Sequence, residues 1–232
     1  MSSYQHNGVL RFKTSFLRRQ GKMTKAQKRY FREHWTQFGL DLEYNSQFSA
    51  QEYFGNQNPI SLEIGFGQAE TLLFRAEREP SRNFIGIEVH KPAIASCLGK
   101  LAQFNLQNVL LLKKDAYLVL LDHMRETLLD EVWVFFPKPW EDQERRLLRG
   151  FFLDVLEPHL EDNAKLYCAT DVYDYALYAI EEFGTKPKWS NVSGMEQFSP
   201  RPAWRQLSKY EEKGLQEGRS SIDFCFQYII AC

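Results

Sequence analysis

Ser61-Leu-Glu-Ile-Gly-Phe-Gly67, continued by Glu70-Thr-Leu-Leu-Phe-Arg-Ala-Glu77 and answered by Phe84-Ile-Gly-Ile-Glu-Val-His90, decides how this chain folds. The first segment is an apolar strand that runs into a glycine turn and then a helical pattern. The second is another apolar strand, and it ends on the carboxylate of Glu88. Strand, glycine turn, helix, strand and acid, with the acid about 20 residues after the glycines, place backbone N–H groups and a carboxylate together. They meet at the carboxyl edge of a parallel sheet, where open α/β folds bind nucleosides. Two features depart from the dinucleotide fingerprint. Ala69 stands where the last glycine would be, and Glu63 sits inside the first strand.

Outward from this unit the alternation continues. Short apolar runs at 60–64, 84–89, 108–113, 131–136 and 164–169 read as strands buried on both faces, with helices expected at 69–78, 91–104, 116–126, 143–156 and 172–183. Such alternation implies right-handed crossovers and a mostly parallel sheet with helices on both faces. Ile222-Asp-Phe-Cys-Phe-Gln-Tyr-Ile-Ile230 follows a polar, glycine-marked stretch with no clear helix and reads as a final antiparallel strand. Thr24 is placed to cap a helix through Phe38, with Gly39 as its stop. Residues 1–23 are polar and basic and are expected to form a flexible arm, leaving 24–232 as a single domain.

Composition narrows the function classes. With 232 residues and 44% hydrophobic content the chain can bury one sizeable core. A net charge of −1 excludes a general attraction to nucleic acid, so any such contact must be local. Cys97, Cys168, Cys225 and Cys232 show no paired spacing, which favours a reduced, cytoplasmic protein over a disulfide or zinc framework. Neither a metal site nor a membrane span is expected.

Four constellations carry possible chemistry. Gly65 and Gly67 allow close backbone approach, Glu88 is placed to accept from ribose hydroxyls, and Asp115-Ala116 follows the third strand at the same edge. An acid beside the glycine loop suits a ligand with a cationic amino acid group better than a pyrophosphate, and the ligand this points to is S-adenosylmethionine. Val134-Phe-Phe-Pro-Lys-Pro-Trp140 ends the fourth strand in a stiff aromatic loop, suited either to holding a planar base or to a plain rigid turn. Arg18, Arg19 and Lys22, with Lys25, Lys28, Arg29 and Arg32 behind them, are interleaved with Phe16, Tyr30 and Phe31, a pattern that suits RNA phosphate contact and base stacking and equally a solvated face. Ser199-Pro-Arg-Pro202 and Ser208-Lys-Tyr-Glu-Glu-Lys-Gly214 read as polar surface segments. Asp171 reads first as the cap of the helix at 172–183, with substrate contact as the alternative.

Taken together these segments resemble the bacterial tRNA (guanine-N7)-methyltransferases. The resemblance rests on Ser15-Phe-Leu-Arg-Arg-Gln-Gly21, Leu62-Glu-Ile-Gly-Phe-Gly67, Gly86-Ile-Glu-Val-His90, Asp115-Ala116, Phe135-Phe-Pro-x-Pro-Trp140, Ala169-Thr-Asp171, Arg201-Pro202 and Ser208-Lys-x-Glu-x-x-Gly214. It implies a Rossmann-like, seven-stranded methyltransferase fold with a C-terminal antiparallel strand. It also implies cofactor contacts at Glu63, Gly65, Gly67, Glu88, Asp115 and Ala116. Contacts to tRNA, in a monomer or homodimer, are implied at Arg19, Asp171, Ser208, Lys209, Tyr210 and Glu211. The family pattern has aspartate between the two prolines, followed by a basic run, whereas this chain has Lys138 and then Glu141-Asp-Gln-Glu144. Lys138 therefore occupies the position of the family's catalytic aspartate. The retained acids fit an active enzyme, and the altered loop would fit a re-targeted RNA-binding relative.

Overall fold

The computed structural model describes residues 3–6, 10–16, 21–195 and 197–230. In chain order the elements are β1 (Ser3–His6), β2 (Leu10–Lys13), α1 (Lys25–Phe38), β3 (Gly39–Leu40), α2 (Ala50–Phe54), β4 (Ile60–Ile64), α3 (Glu70–Arg78), β5 (Asn83–Ile87) and α4 (Lys91–Phe104). They continue with β6 (Val109–Leu112), α5 (Ala116–Leu118), β7 (Leu129–Phe135), α6 (Gly150–Leu156), β8 (Leu160–Thr170), α7 (Tyr173–Gly184), β9 (Trp189–Asn191), α8 (Lys209–Gln216) and β10 (Ile222–Tyr228).

The central sheet has eight strands in the order β3-β6-β5-β4-β7-β8-β10-β9. All pairings from β3 to β8 are parallel, and β10 runs antiparallel to both β8 and β9. The strand beyond the seven expected is β3, a two-residue edge piece beside β6. Every residue of β4, β5 and β6 is buried, because helices cover both faces of the sheet. One face packs Leu62, Ile85, Val132 and Leu166 against Tyr117, Phe152 and Tyr175, and the other packs Phe84, Leu111 and Trp133 against Phe38, Leu72 and Leu98. Chain order reverses between β4 and β7, which opens a crevice at their carboxyl ends.

Local chemistry sets the helix ends. Thr24 caps α1 in a reciprocal box with Gln27, and Gly39 ends it. Gly39 is held extended; it is glycine because a Cβ there would lie 2.4 Å from the Trp35 ring.

Several sequence expectations change in the folded chain. β1 and β2 form an antiparallel hairpin where disorder was expected, and of the arm only residues 1–2, 7–9 and 17–20 lie outside the described set. The helix expected over 116–126 stops after α5 and passes into a wider turn at Val119–His123, where His159 Nε2 hydrogen-bonds the Leu120 carbonyl and Phe48 N–H donates to that of His123. Only a short turn at Gln143–Arg145 and then α6 form within 143–156, since the Arg145 and Arg146 side chains are drawn away to backbone carbonyls. The segment from Ser208 is a capped helix, α8, in place of a polar loop.

The last third of the chain is tied down by a buried cation. Arg205 donates to both oxygens of Asp223 at 2.8 Å and to Glu211 at 2.7 Å, and all three residues are buried. Arg205→Ala would leave two carboxylates buried without their partner, so urea unfolding should show a loss of about 3–5 kcal/mol. A loss below about 1 kcal/mol would show that water or another cation replaces the guanidinium.

Candidate functional site

The glycine loop is fastened to the neighbouring strand. Gly65 and Gly67 both take left-handed backbone (φ 74° and 50°), which a side chain at either position would oppose. The turn lets Gly65 N–H donate to the Ile87 carbonyl at 2.8 Å and Gly67 N–H to Glu88 Oε2 at 3.0 Å. Glu88 Oε1 accepts from Val89 and His90 N–H at 2.7 and 2.9 Å. Three backbone donors therefore fix one carboxylate beside the loop. A carboxylate has about four acceptor positions, so capacity remains for a ligand hydroxyl.

Asp115 caps α5 by accepting from Tyr117 N–H at 2.9 Å. Burial pushes its carboxyl up to about 6, against the lowering effect of the Tyr117 and Leu118 amides. Glu63 lies within β4, and burial pushes it up to about 8, with the Leu72 amide opposing and the Glu88 and Glu70 charges adding. Glu63 Oε2 is buried without a hydrogen-bond partner among the described residues. Such an orphaned acceptor beside the loop fits the ammonium end of an amino acid ligand.

Ends of four strands meet around one cavity of about 360 Å³. Gly65 enters from β4, Glu88 and His90 from β5, Asp115 and Ala116 from β6, and Phe136 to Lys138 from β7; Ser15 and Phe16 close one side. Glu63 and Gly67 lie outside this wall, Gly67 reaching it through Glu88. Phe136 takes a left-handed φ of 52° despite its bulk and is held by its N–H to the Ala169 carbonyl. Strain of this kind persists where the surroundings dictate the backbone, and it turns the loop toward the cavity. Lys138 is exposed, with its ammonium 4.1 Å from the Trp140 ring centre.

The residues expected to contact RNA are arranged less uniformly. Arg19 lies outside the described residues. Asp171 does not cap α7: Thr170 Oγ1 accepts from Val172 N–H, and the Asp171 carboxylate binds Tyr210 Oη at 2.9 Å and the Arg219 guanidinium. The capping expectation is corrected accordingly, because β8 ends at Thr170, the N-cap position falls on Val172, and Tyr210 and Arg219 hold the Asp171 carboxylate instead. Ser208 and Glu211 form the capping box of α8, and the other oxygen of Glu211 belongs to the Arg205 pair. Lys209 N–H donates to Glu70 at 3.2 Å, and the Tyr210 ring packs on Phe136 with centres 5.2 Å apart. Tyr210 and Asp171 thereby adjoin the cavity loop through Phe136. Arg219 was missed by the sequence reading, as no motif or spacing distinguishes it.

This fold is similar to that of the aminoglycoside resistance methyltransferase NpmB1, with a TM-score of 0.54 at 15% identity over 77% of this chain and 91% of that one. A family model described as "Putative methyltransferase" matches residues 57–224. The strand order and the strand-end cavity thus define a Rossmann-like methyltransferase. The chain is 36% identical over 228 residues to the tRNA (guanine-N(7)-)-methyltransferase of Buchnera aphidicola, covering 97% of this chain and 95% of that protein. It is 33% identical to the enzyme of that name from Colwellia psychrerythraea, over 96% of this chain and 92% of that protein. The chain belongs to the tRNA (guanine-N7)-methyltransferase family.

The raised carboxyls make stability depend on pH. In the unfolded chain Glu63 and Asp115 ionise in the ordinary carboxylate range, whereas the fold holds their protons up to about 8 and about 6. Between those limits the folded state binds more protons, so the stability these groups confer is present in acid and lost as pH rises. Between pH 6 and 8 Glu63 should cost the ligand-free protein roughly 2 kcal/mol, and Glu63→Gln should flatten that part of the profile. Identical slopes for the two proteins in urea titrations would mean that Glu63 is already ionised at pH 6.

Proposed function

We propose that this protein transfers the methyl group of S-adenosylmethionine to N7 of a guanosine in the variable loop of tRNA. The observation that carries the reading is the convergence of Gly65, Glu88, Asp115 and the Phe136–Lys138 loop on one cavity, in a chain of this family. Glu88 would hold the ribose hydroxyls, Asp115 with Ala116 N–H the adenine edge, and Glu63 with the loop amides the amino acid end. When bound, this cofactor supplies a methyl carbon on a positively charged sulfur. That methyl would pass to the N7 lone pair with the thioether as leaving group, and the positive charge would move from sulfur to the purine.

N7 of neutral guanine has a free lone pair, so no residue must remove a proton before attack. The protein's work is alignment and exclusion of water, and good alignment can supply roughly 7–11 kcal/mol. Phe136, Pro137 and Phe16 give the cavity stiff, apolar walls suited to a planar base. Charge developing on the purine is favoured by the carboxylates of Glu88 and Asp115 and opposed by any cation close to the base. Two like charges about 4 Å apart repel by roughly 4 kcal/mol at an effective dielectric of 20. The exposure of Lys138 and its position over Trp140 give its charge both water and an aromatic face, which reduces this penalty. On the RNA side, Lys22, Lys25, Lys28, Arg29 and Arg32 are exposed along the start of α1, a surface suited to phosphates. Tyr210 packs on Phe136 and carries Asp171 with it, and Lys209 precedes it on α8.

Incubation of unmodified tRNA with labelled cofactor should transfer label to one guanosine, and strand cleavage at the modified base should identify N7. Absence of label would refute the activity. Lys138→Asp should raise the turnover rate at saturating tRNA and leave cofactor affinity nearly unchanged, since the gain lies in the transition state. A rate that falls would assign Lys138 a role in a reorganised site.

A further inference from the structure

The acidic stretch after Trp140 has a partner elsewhere in the chain. Lys13 Nζ lies 2.9 Å from Asp142 Oδ2 and 2.6 Å from Glu144 Oε2, and both carboxylates raise its pKa. Asp142 also orders its own turn, with Oδ1 accepting from Glu144 N–H at 3.1 Å. Beyond Lys13 the next three residues are fastened to the same loop. Arg145 Nε donates to the Thr14 carbonyl at 3.1 Å and its Nη2 to that of Phe16 at 3.4 Å, and Trp140 Nε1 donates to the Ser15 carbonyl at 2.8 Å. Arg145 also lies 3.3 Å from the centre of the Trp140 ring. Thr14 is buried beneath these contacts, and Ser15 and Phe16 line the cavity.

We propose that Asp142 and Glu144 are positioning residues that grip Lys13 and so seat Ser15 and Phe16 as one wall of the ligand cavity. The proposal rests on the functional reading above only for the ligand's identity. Arg145 and Trp140 hold the backbone of this segment, and the Lys13 pair ties its start to the same loop. The grip is electrostatic and partly exposed, so it acts as a latch that salt can loosen and not as a permanent tie. Acidic residues that would be adverse for RNA in this loop thereby gain a task inside the molecule.

The test uses the full chain and the demethylated cofactor product as probe. Asp142→Lys combined with Glu144→Lys should weaken binding of that product by about fivefold at low ionic strength, the upper end for an exposed ion pair, with an unchanged melting temperature. Adding Lys13→Glu to the pair restores the opposite charges and should return affinity to within about twofold. A merely structural surface contact would not show this rescue, nor a loss confined to low salt. Trypsin cleavage after Lys13, followed by mass spectrometry, reads the latch without any ligand: it should be slow in the wild type and fast in the double variant. Equal cleavage in both proteins, or a charge-reversed triple variant no better than the double, would overturn the proposal. If the wild type binds the probe but leaves tRNA unmethylated, the functional reading fails, and the latch is still judged by affinity and cleavage.

Discussion

The carboxylate of Glu88, gripped by the N–H groups of Gly67, Val89 and His90, is the constraint on which the site depends. It joins the glycine loop after β4 to the turn after β5, so two adjacent strand ends act as one rigid edge. The Gly65 N–H to the Ile87 carbonyl doubles this tie. Without it the positive φ of both glycines would have no compensating hydrogen bonds, and the loop would be free to move away from the cavity. A site fixed this way is organised before any ligand arrives, and the ordering cost is met by folding and not by binding.

A second layer of order surrounds that edge. Phe136 is held in a left-handed conformation by the Ala169 carbonyl and by the Tyr210 ring, which is itself anchored through Asp171 and Arg219. Arg205, buried between Asp223 and Glu211, fixes β10 relative to α8 and so fixes the platform that carries Tyr210. Residues far apart in the chain therefore set the position of one aromatic loop. Lys138 sits at the outer side of that loop, against Trp140, where its charge is shared with water and the indole.

The sequence was most readable where burial is complete. β4 spans the residues that its apolar pattern marks, and the boundaries of α3 and α4 lie within a residue of those expected. Glycines and acids at strand ends were legible because their order along the chain matches their order around the cavity. What escaped were pairings between distant segments. Nothing near Lys13 announces Asp142, and nothing near Asp171 announces Arg219. The hairpin of β1 and β2 was hidden by its polar composition, since its few residues carry no apolar alternation long enough to register. The helix expected at 116–126 widens after Leu118 and ends at His123 for a related reason: carbonyls that would continue it are taken by His159 and Phe48.

Calorimetric titration of the demethylated cofactor product into the wild type and into Glu88→Ala tests the central role of the clamped carboxylate most directly. The account predicts measurable binding by the wild type and a loss of about 1.5–3 kcal/mol in the variant, the cost of removing a charged acceptor from a partly buried network. Wild-type binding that the substitution leaves unchanged would contradict it, because the ligand would then be held somewhere other than at the edge Glu88 organises.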